Sequence, residues 1–415
     1  LLLEIFFPYR GWLLLLVGIG LTWFIGFVWA RSMVRHLRLH REVRFGWAQV
    51  GDLLEERFEL VNTSWLPVVW VEVQDHSTIP DYHISQATGV NGASSNAWLT
   101  RQVCSRRGQY TLGPATLITG DPFGIYTVLI QDRAHADILV TPPVLPFPAI
   151  SIAKNGRIDE GPLSRKVKEG SPVPVGVREY QPGDSLQRLH WPTSARREAF
   201  FVKTFSDLPS GDWWILLDLD RSVQAGEGAA STEEAAVILA ASIADRGLRS
   251  GYPVGLIANS SEITWIPPRR GSEQHWELFR ALAKASPGDH SLAELLEASS
   301  SLMKAWASLI IITASTRQDW LIPLMRRDPR GLAPTVLLID AAPFTGAARA
   351  SGLVGIEENL ANLGIPHFII GPESFARPDQ FSSPQNRWEW LTLPTGKVVA
   401  VHQPPELTWK PLEVR

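Results

Sequence analysis

Cysteine is all but missing: Cys104 is the only one in 415 residues, which excludes an internal disulfide and a thiolate metal cluster. Charge of one sign is missing too. Lys and Arg number 39 against 42 Asp and Glu, for a net charge of −3 at pH 7, so no field draws in nucleic acid. Hydrophobic residues at 45% and charged residues at 20% exclude global disorder. What is plentiful is tryptophan, at 17 residues, which reads mainly as large core filler. The length exceeds one typical domain and predicts two or three.

The longest uncharged run is GWLLLLVGIGLTWFIGFVWA, from Gly11 to Ala30. It matches the about 20 residues that cross a ~30 Å hydrocarbon core. Trp12 and Trp29 sit near its ends, where indoles favour the membrane interface. A cleaved leader would carry a shorter apolar core and a small-residue cleavage site, whereas this run ends in Arg31. The expectation is a membrane anchor. The chain opens at Leu1, with an apolar LLLEIFF over residues 1–7, which leaves room for a preceding membrane segment.

Behind the run come Arg31, Arg35, Arg38, Arg41 and Arg44, against only Arg10 with Glu4 ahead of it. This asymmetry predicts a cytoplasmic body. Residues 1–44 therefore read as an anchor with a basic juxtamembrane helix, Arg31, Arg35 and Arg38 sharing a face suited to anionic lipid.

Residues 45–145 contain short runs (ERFELVN, PVVWVEVQD, YTLGPATLI, GIYTVLIQ, ADILVTP) broken by Gly, Pro and Asn. They predict antiparallel β structure of the sandwich kind. PPVLPFPAI then opens a stiff, extended linker, and 146–211 reads as linker and signature segment.

From 212 to 375 the pattern changes. WWILLDLD, YPVGLIAN, SLIIITAS, PTVLLID and HFIIG are continuous apolar runs, as in strands covered on both faces. Ser231 with Glu234 forms a capping box, and Ser272 is expected to cap a helix in which Trp276, Phe279, Leu282 and Ala283 share a face. The expected fold class is thus α/β plus all-β: an N-terminal transmembrane helix, a β-sandwich-like domain and a doubly wound parallel sheet. Residues 376–415 form a tail with a hairpin turning at Thr395-Gly396.

Two places in the chain carry chemistry. Asp218-Leu219-Asp220-Arg221-Ser222 lies at the end of the first parallel strand, where open α/β sheets bind ligands. Asp218, Asp220 and Ser222 present oxygens suited to magnesium or another divalent cation. Three readings stay open: acids that cap and bind nothing, an ion-dependent adhesion site of the von Willebrand A type, and a phosphatase of the haloacid dehalogenase type using Asp218. The adhesion motif is DxSxS with a later Asp, where this chain has Asp220 and Ala314. The phosphatase lacks its late acid pair beside Asp340.

The second place is GVREYQPGDSLQRLHWPTSARREAFFVK, from Gly176 to Lys203. Charges and aromatics interleave beyond what a plain core or surface needs. A guanidinium between Tyr180 and Trp191 can stack while pairing a carboxylate or phosphate. The segment is either an internal ion-pair network or a docking and anion-binding surface.

This segment closely resembles the signature of the bacterial family called domain of unknown function 58. The residues that carry it are Arg178, Tyr180, Pro182, Gly183, Asp184, Arg188, Trp191, Ser194, Ala195, Arg196 and Lys203, with NTSWLP and RRGQYTLGPATLITGDPFGIY agreeing upstream; His190 joins the segment's candidate partner- or anion-binding residues. The resemblance implies a membrane-tethered protein with a von Willebrand A-like domain, a partner of MoxR-type AAA+ ATPases in cell-envelope assembly or chaperoning. It brings no catalytic residue. The expectation is a non-enzymatic interaction protein whose partners are membrane lipid and another protein, with no nucleic acid or small-molecule substrate. The alternative is a metal-dependent phosphohydrolase.

Overall fold

The computed structural model describes residues 10–44, 46–82, 84–147, 150–152, 174–181, 189–197, 199–205, 211–261, 263–299, 307–326, 332–345, 351–375, 389–392, 398–402 and 409–413. The chain divides into two units, Leu1–Thr141 with Ser383–Arg415, and Pro142–Ser382.

In the first unit, helix α1 (Arg10–His36) runs straight into strand β1 (Leu37–Val43). The basic juxtamembrane stretch is therefore helical only to His36. Arg38 is a strand residue whose guanidinium reaches back to the carbonyls of Val34 and Leu37, the place where a cation favours a helix C-terminus. Along β1 the inward positions are Leu37, Leu39, Arg41 and Val43, so Arg41 is a core residue and no lipid ligand.

The remaining strands are β2 (Trp47–Gln49), β3 (Leu53–Asn62), β4 (Val68–Asp75), β5 (Gln86–Val90), β6 (Ser94–Val103), β7 (Gly108–Leu112), β8 (Ala115–Gly120), β9 (Thr127–Asp132) and β10 (Ala136–Thr141). β1, β3 and β6 form one antiparallel sheet, extended by Lys410–Pro411 beside β1. β5-β4-β8-β9 form a second, and β2-β10-β7 a third. Leu37, Phe58, Leu60, Val71, Val73, Leu117 and Ile138 fill one core between them, and Met33 of α1 belongs to it. The β5 and β6 strands escape the sequence pattern because their alternation is polar or half-exposed. In the C-terminal tail, Glu389–Thr392 pairs antiparallel with Val398–His402.

The unit has two chemically different ends. The connections β3–β4, β5–β6 and β8–β9 lie at the α1 end, and Asp121 is the only Asp, Glu, Lys or Arg in them. The opposite connections carry Asp52, Asp81, Arg106, Arg107 and Arg133.

The second unit begins by packing the expected linker onto its own core. Leu145, Ile150 and Ile152 are buried, and Arg246 donates to the carbonyls of Phe147 and Ile150. The stretch expected as a stiff, extended linker is thus docked on this core.

Two strands, β11 (Pro174–Glu179) and β12 (Phe201–Phe205), pair antiparallel around helix α2 (Trp191–Arg197). The main sheet contains β13 (Trp213–Leu217), and a small hairpin, β14 (Gly226–Glu227) with β15 (Ala230–Ser231), follows it. Next come helix α3 (Thr232–Arg249), β16 (Val254–Asn259), β17 (Ile263–Arg269), helices α4 (Ser272–Lys284) and α5 (Leu292–Ser299), and β18 (Ala307–Thr313). Helix α6 (Leu321–Met325), β19 (Leu332–Ile339), helix α7 (Ser351–Asn362) and β20 (His367–Ile370) complete it.

The sheet order is β17-β16-β13-β18-β19-β20, parallel throughout except β17. Two prolines in β17 are tolerated because it is the edge strand. Along β13, Ile215 and Leu217 pack with α3 and α4 residues on one face, Trp214 and Leu216 with α5, α6 and α7 residues on the other. Five consecutive buried residues in β13 follow from that double cover.

Ser231 caps α3 as expected, accepting from the Glu234 amide. The cap of α4 is Gly271, with φ of 95°, and Ser272 is already helical. Phe279, Leu282 and Ala283 face the core, but Trp276 is exposed. Its expected place is taken by buried Gln274, whose amide donates to the carbonyls of Val254 and Pro267.

Candidate functional site

Three neighbouring strands end in polar residues: β13 leads into Asp218, β16 ends at Asn259 and β18 at Thr313. Strand order β16-β13-β18 brings all three together at the carboxyl edge. Asp218 is 0% exposed. Its Oδ2 accepts from the Thr313 hydroxyl at 2.6 Å; its Oδ1 accepts from Asn259 Nδ2 at 2.9 Å and the Asp220 amide at 3.1 Å. Asn259 also accepts from the Leu219 amide and donates to the His290 carbonyl. The Thr313 hydroxyl in turn accepts from the Ser315 amide at 2.8 Å.

Burial holds the Asp218 carboxyl above its ordinary range, partly offset by the bonds from Thr313 and Asn259. A raised native pKa means a stabilising contribution that is full below the unfolded value, about 4, and fades as pH rises through the native value. Wild-type stability relative to Asp218→Asn should therefore be greatest in acid and fall toward neutrality. Denaturant melts at a series of pH values check this, and the opposite slope would mean that hydrogen bonding outweighs burial.

Asp220 turns away to cap the short turn Arg221–Val223, accepting from the Ser222 amide at 2.9 Å. Ser222 is exposed. Gly288 packs against this turn: its amide donates to the Leu219 carbonyl and its carbonyl accepts from Arg221. A Cβ there would sit 2.3 Å from the Ser260 carbonyl oxygen, so only glycine lets the loop close on the strand end.

A divalent cation suits this donor set poorly. A cation at Asp218 would have to compete with three donors that already bond its two oxygens, one of them an amide NH₂ group that faces the carboxylate where a cation would be repelled. Ala314, buried, offers no ligand. Among the described residues no group of three or more His, Cys, Asp or Glu is placed to hold a metal. The cluster does something else well: one carboxylate ties three strand ends together.

Within the signature segment, Pro182, Gly183, Asp184 and Arg188 lie outside the described residues, so pairing of Asp184 with Arg188 is not part of this geometry. The described part is a tight β–α–β corner. The Ser194 hydroxyl donates to the His190 carbonyl at 3.1 Å and accepts from the Phe201 amide at 2.9 Å. His190 Nδ1 lies 2.8 Å from the Thr193 hydroxyl. Leu189 and Val202 are buried beneath. Tyr180 meets Phe200 edge-on, and Arg178 is exposed. Trp191, 65% exposed, and Arg196, also exposed, face solvent on α2. Ser194 and His190 hold the corner, whereas Trp191 and Arg196 are presented.

Sequence reasoning found Asp218 but missed Asn259 and Thr313. The available signal was a polar residue closing each of two apolar runs, GLIAN and LIIIT.

Comparison with known proteins matches residues 176–342 to the family model described as Protein of unknown function DUF58. The uncharacterized protein YeaD of Bacillus subtilis is 31% identical over 183 residues, 43% of this chain and 43% of that protein. An uncharacterized protein of Mycobacterium tuberculosis is 30% identical over 111 residues, 26% of this chain and 35% of that one. The match thus spans less than half the length of each curated relative. A CARDB domain from Pyrococcus furiosus, 15% identical, covers 26% of this chain with a TM-score of 0.20, too low to bear on the fold. The stretch that carries both the signature corner and the three-strand carboxylate cluster is the part of this chain that matches the DUF58 family.

Proposed function

We propose that this chain is a membrane-anchored, non-enzymatic interaction protein. Its α/β unit, read as a von Willebrand A-like module, docks a MoxR-type AAA+ ATPase in cell-envelope assembly or chaperoning. The observation that carries the anchor is the way α1 is built into the β unit. The helix is long and apolar enough to cross a membrane, and most of it is exposed. Yet Met33 sits in the β core and the Trp29 indole donates to the Pro67 carbonyl. A cleaved leader has no reason to be part of the fold of what remains.

The parallel sheet with helices on both faces supports the von Willebrand A-like reading. The hydrogen-bonded Asp218 supports an interaction role over hydrolysis, because a nucleophile needs a free oxygen aimed at substrate. Exposed Trp191 and Arg196 are of the residue types enriched at interface hot spots.

The body is assigned to the cytoplasm from the arginines after α1. Although Arg41 ends up buried, insertion reads charge before folding, so it still counts. Protease added to intact spheroplasts should spare the chain beyond Arg44; cleavage there without lysis would reverse the orientation. Crosslinking and pull-down from native membranes should recover an AAA+ ATPase with wild type, and much less with Trp191→Ser at unchanged melting temperature. Equal recovery would remove α2 from the docking surface.

A further inference from the structure

Resting on the anchor reading, we propose that the α1 end of the β unit is a second membrane-contact surface. Its β3–β4 and β8–β9 loops lie within the bilayer interface beside the helix. The first argument is length. From Trp12 to Leu21 every helix residue is exposed, a rise of about 15 Å, well short of the ~30 Å hydrocarbon core. From Gly26 onward the β unit covers one side, with Gly26, Ala30 and Met33 buried. Arg10 marks the far boundary, since a guanidinium stays at headgroup level. To cross the core, α1 must stay in lipid to about Ala30, and whatever packs beside residues 23–30 goes in with it.

Those neighbours are the two loops. The Tyr126 ring lies 6.2 Å from both Trp23, tilted against it, and Phe27, which it meets edge-on. Gly26 allows the approach: a Cβ there would lie 3.2 Å from Asp121 Oδ2. On the other loop, Pro67 accepts the Trp29 indole N–H and the Thr63 amide donates to the His36 carbonyl.

Their surface chemistry is apolar. Trp65 is 81% exposed, Phe123 53% and Ile125 44%. That exposure is costly in water for loops with so few other side chains to cover it. Asp121 is buried. Exposed Arg31 and Arg35 follow one turn further along α1, at the height of anionic headgroups.

A third observation is independent of side-chain hydrophobicity. Lipid-exposed irregular backbone is excluded from the hydrocarbon core, so loops beside the helix belong at the interface, where pairing of their polar groups lowers the cost of leaving water. In the β8–β9 loop the Asp121 carboxylate accepts the amides of Phe123 at 2.9 Å and Tyr126 at 2.5 Å. Asp121 and Tyr126 also pair through their backbones, as do Gly124 and Asp121. In the β3–β4 loop Asn62 and Ser64 pair the Leu66 carbonyl, Asn62 accepts the Ser64 amide, and the Ser64 carbonyl accepts from Ala93.

Spin labels in the full chain test this. Cys104 is buried, its thiol pushed up to about 12 by burial, so it stays silent while Leu14→Cys, Trp65→Cys, Phe123→Cys and Ser105→Cys are labelled singly. Each variant is checked for unchanged melting and reconstituted in vesicles of phosphatidylcholine and phosphatidylglycerol. Collision with oxygen, which enriches in lipid, is compared with collision with a water-soluble nickel chelate.

Labels at 14, 65 and 123 should favour oxygen, and the label at 105, at the charged end, should favour nickel. Lipid exposure at 14 with water exposure at 65 and 123 would overturn this inference and leave the anchor standing. Water exposure at 14 would overturn the anchor and the inference with it. Protection from both reagents at 65 and 123 would mean that another protein covers the loops, which also overturns it.

Discussion

Replacing Arg41 by Met lowers the stability of the β unit by about 3–5 kcal/mol, because it strands buried carboxylates. The guanidinium donates through Nε and one terminal nitrogen to Glu56 Oε2, at 2.9 and 2.7 Å. Its other terminal nitrogen reaches Asp75 Oδ1 at 2.6 Å, and Ser77 accepts at 3.1 Å. The Phe58 ring lies 4.9 Å from the guanidinium carbon. Three strands, β1, β3 and β4, meet on this one side chain.

Burial already pushes the Glu56 carboxyl up, and the Arg41 charge is the largest force holding it down. Without that charge Glu56 takes up a proton, so the loss should be largest near neutral pH and smaller in acid. Amide hydrogen exchange localises the effect: protection in β1 and β3 should fall while the α/β sheet keeps its own. Replacing Arg41, Glu56 and Asp75 together by Met, Leu and Asn should recover most of the loss, since an uncharged cluster carries no stranded charge. If Arg41→Met alone costs under 1 kcal/mol, water has reached the cluster and the burial is wrong.

Arg41 also shows what the sequence could tell and what it could not. The alternation Leu37, Leu39, Arg41, Val43 has the period of a half-buried strand, but five arginines at spacings of three and four argue helix with equal force. What decides is Glu56 and Asp75, distant in sequence and brought close only by pairing of β1 with β3 and the packing of β4. The parallel sheet was legible because its inner strands β13, β16 and β18 are buried along their whole length and so write themselves as unbroken apolar runs. β5 and β6, half-exposed and polar, write nothing comparable.

Asp218 was legible for its position at the end of a first parallel strand. Its role was not, because a carboxylate that binds a ligand and one that ties strand ends look the same until Asn259 and Thr313 are seen beside it. The docking of the segment before Ile152 was not legible for a related reason. Proline dictates an extended backbone, which is compatible equally with a free spacer and with a strap laid on a helix.

Asn259→Leu, close to the original in volume, should cost on the order of 3 kcal/mol. It removes one donor to Asp218, the acceptor of the Leu219 amide and the donor to the His290 carbonyl, leaving buried groups unpaired. Much of that loss comes from the fully buried carboxyl, which keeps fewer donors and is pushed still further up from its ordinary range. Asp218→Leu in the same chain should then cost less than it does in wild type, a coupling of about 1 kcal/mol or more in a double-mutant cycle.

Thr313→Val extends the test from the other oxygen, as its hydroxyl is the donor to Oδ2. It should couple to Asp218 in the same sense. Magnesium separates this account from an ion site: a cation that binds the native state would raise the melting temperature in proportion to its affinity. Millimolar magnesium should leave wild type unmoved, since binding would first break the bonds that Asn259, Thr313 and the Asp220 amide supply. A clear rise that vanishes in Asp218→Asn would return the cluster to ion binding and reopen hydrolysis. Independent, additive losses at positions 218 and 259 would instead show that the three strand ends are not held by one carboxylate.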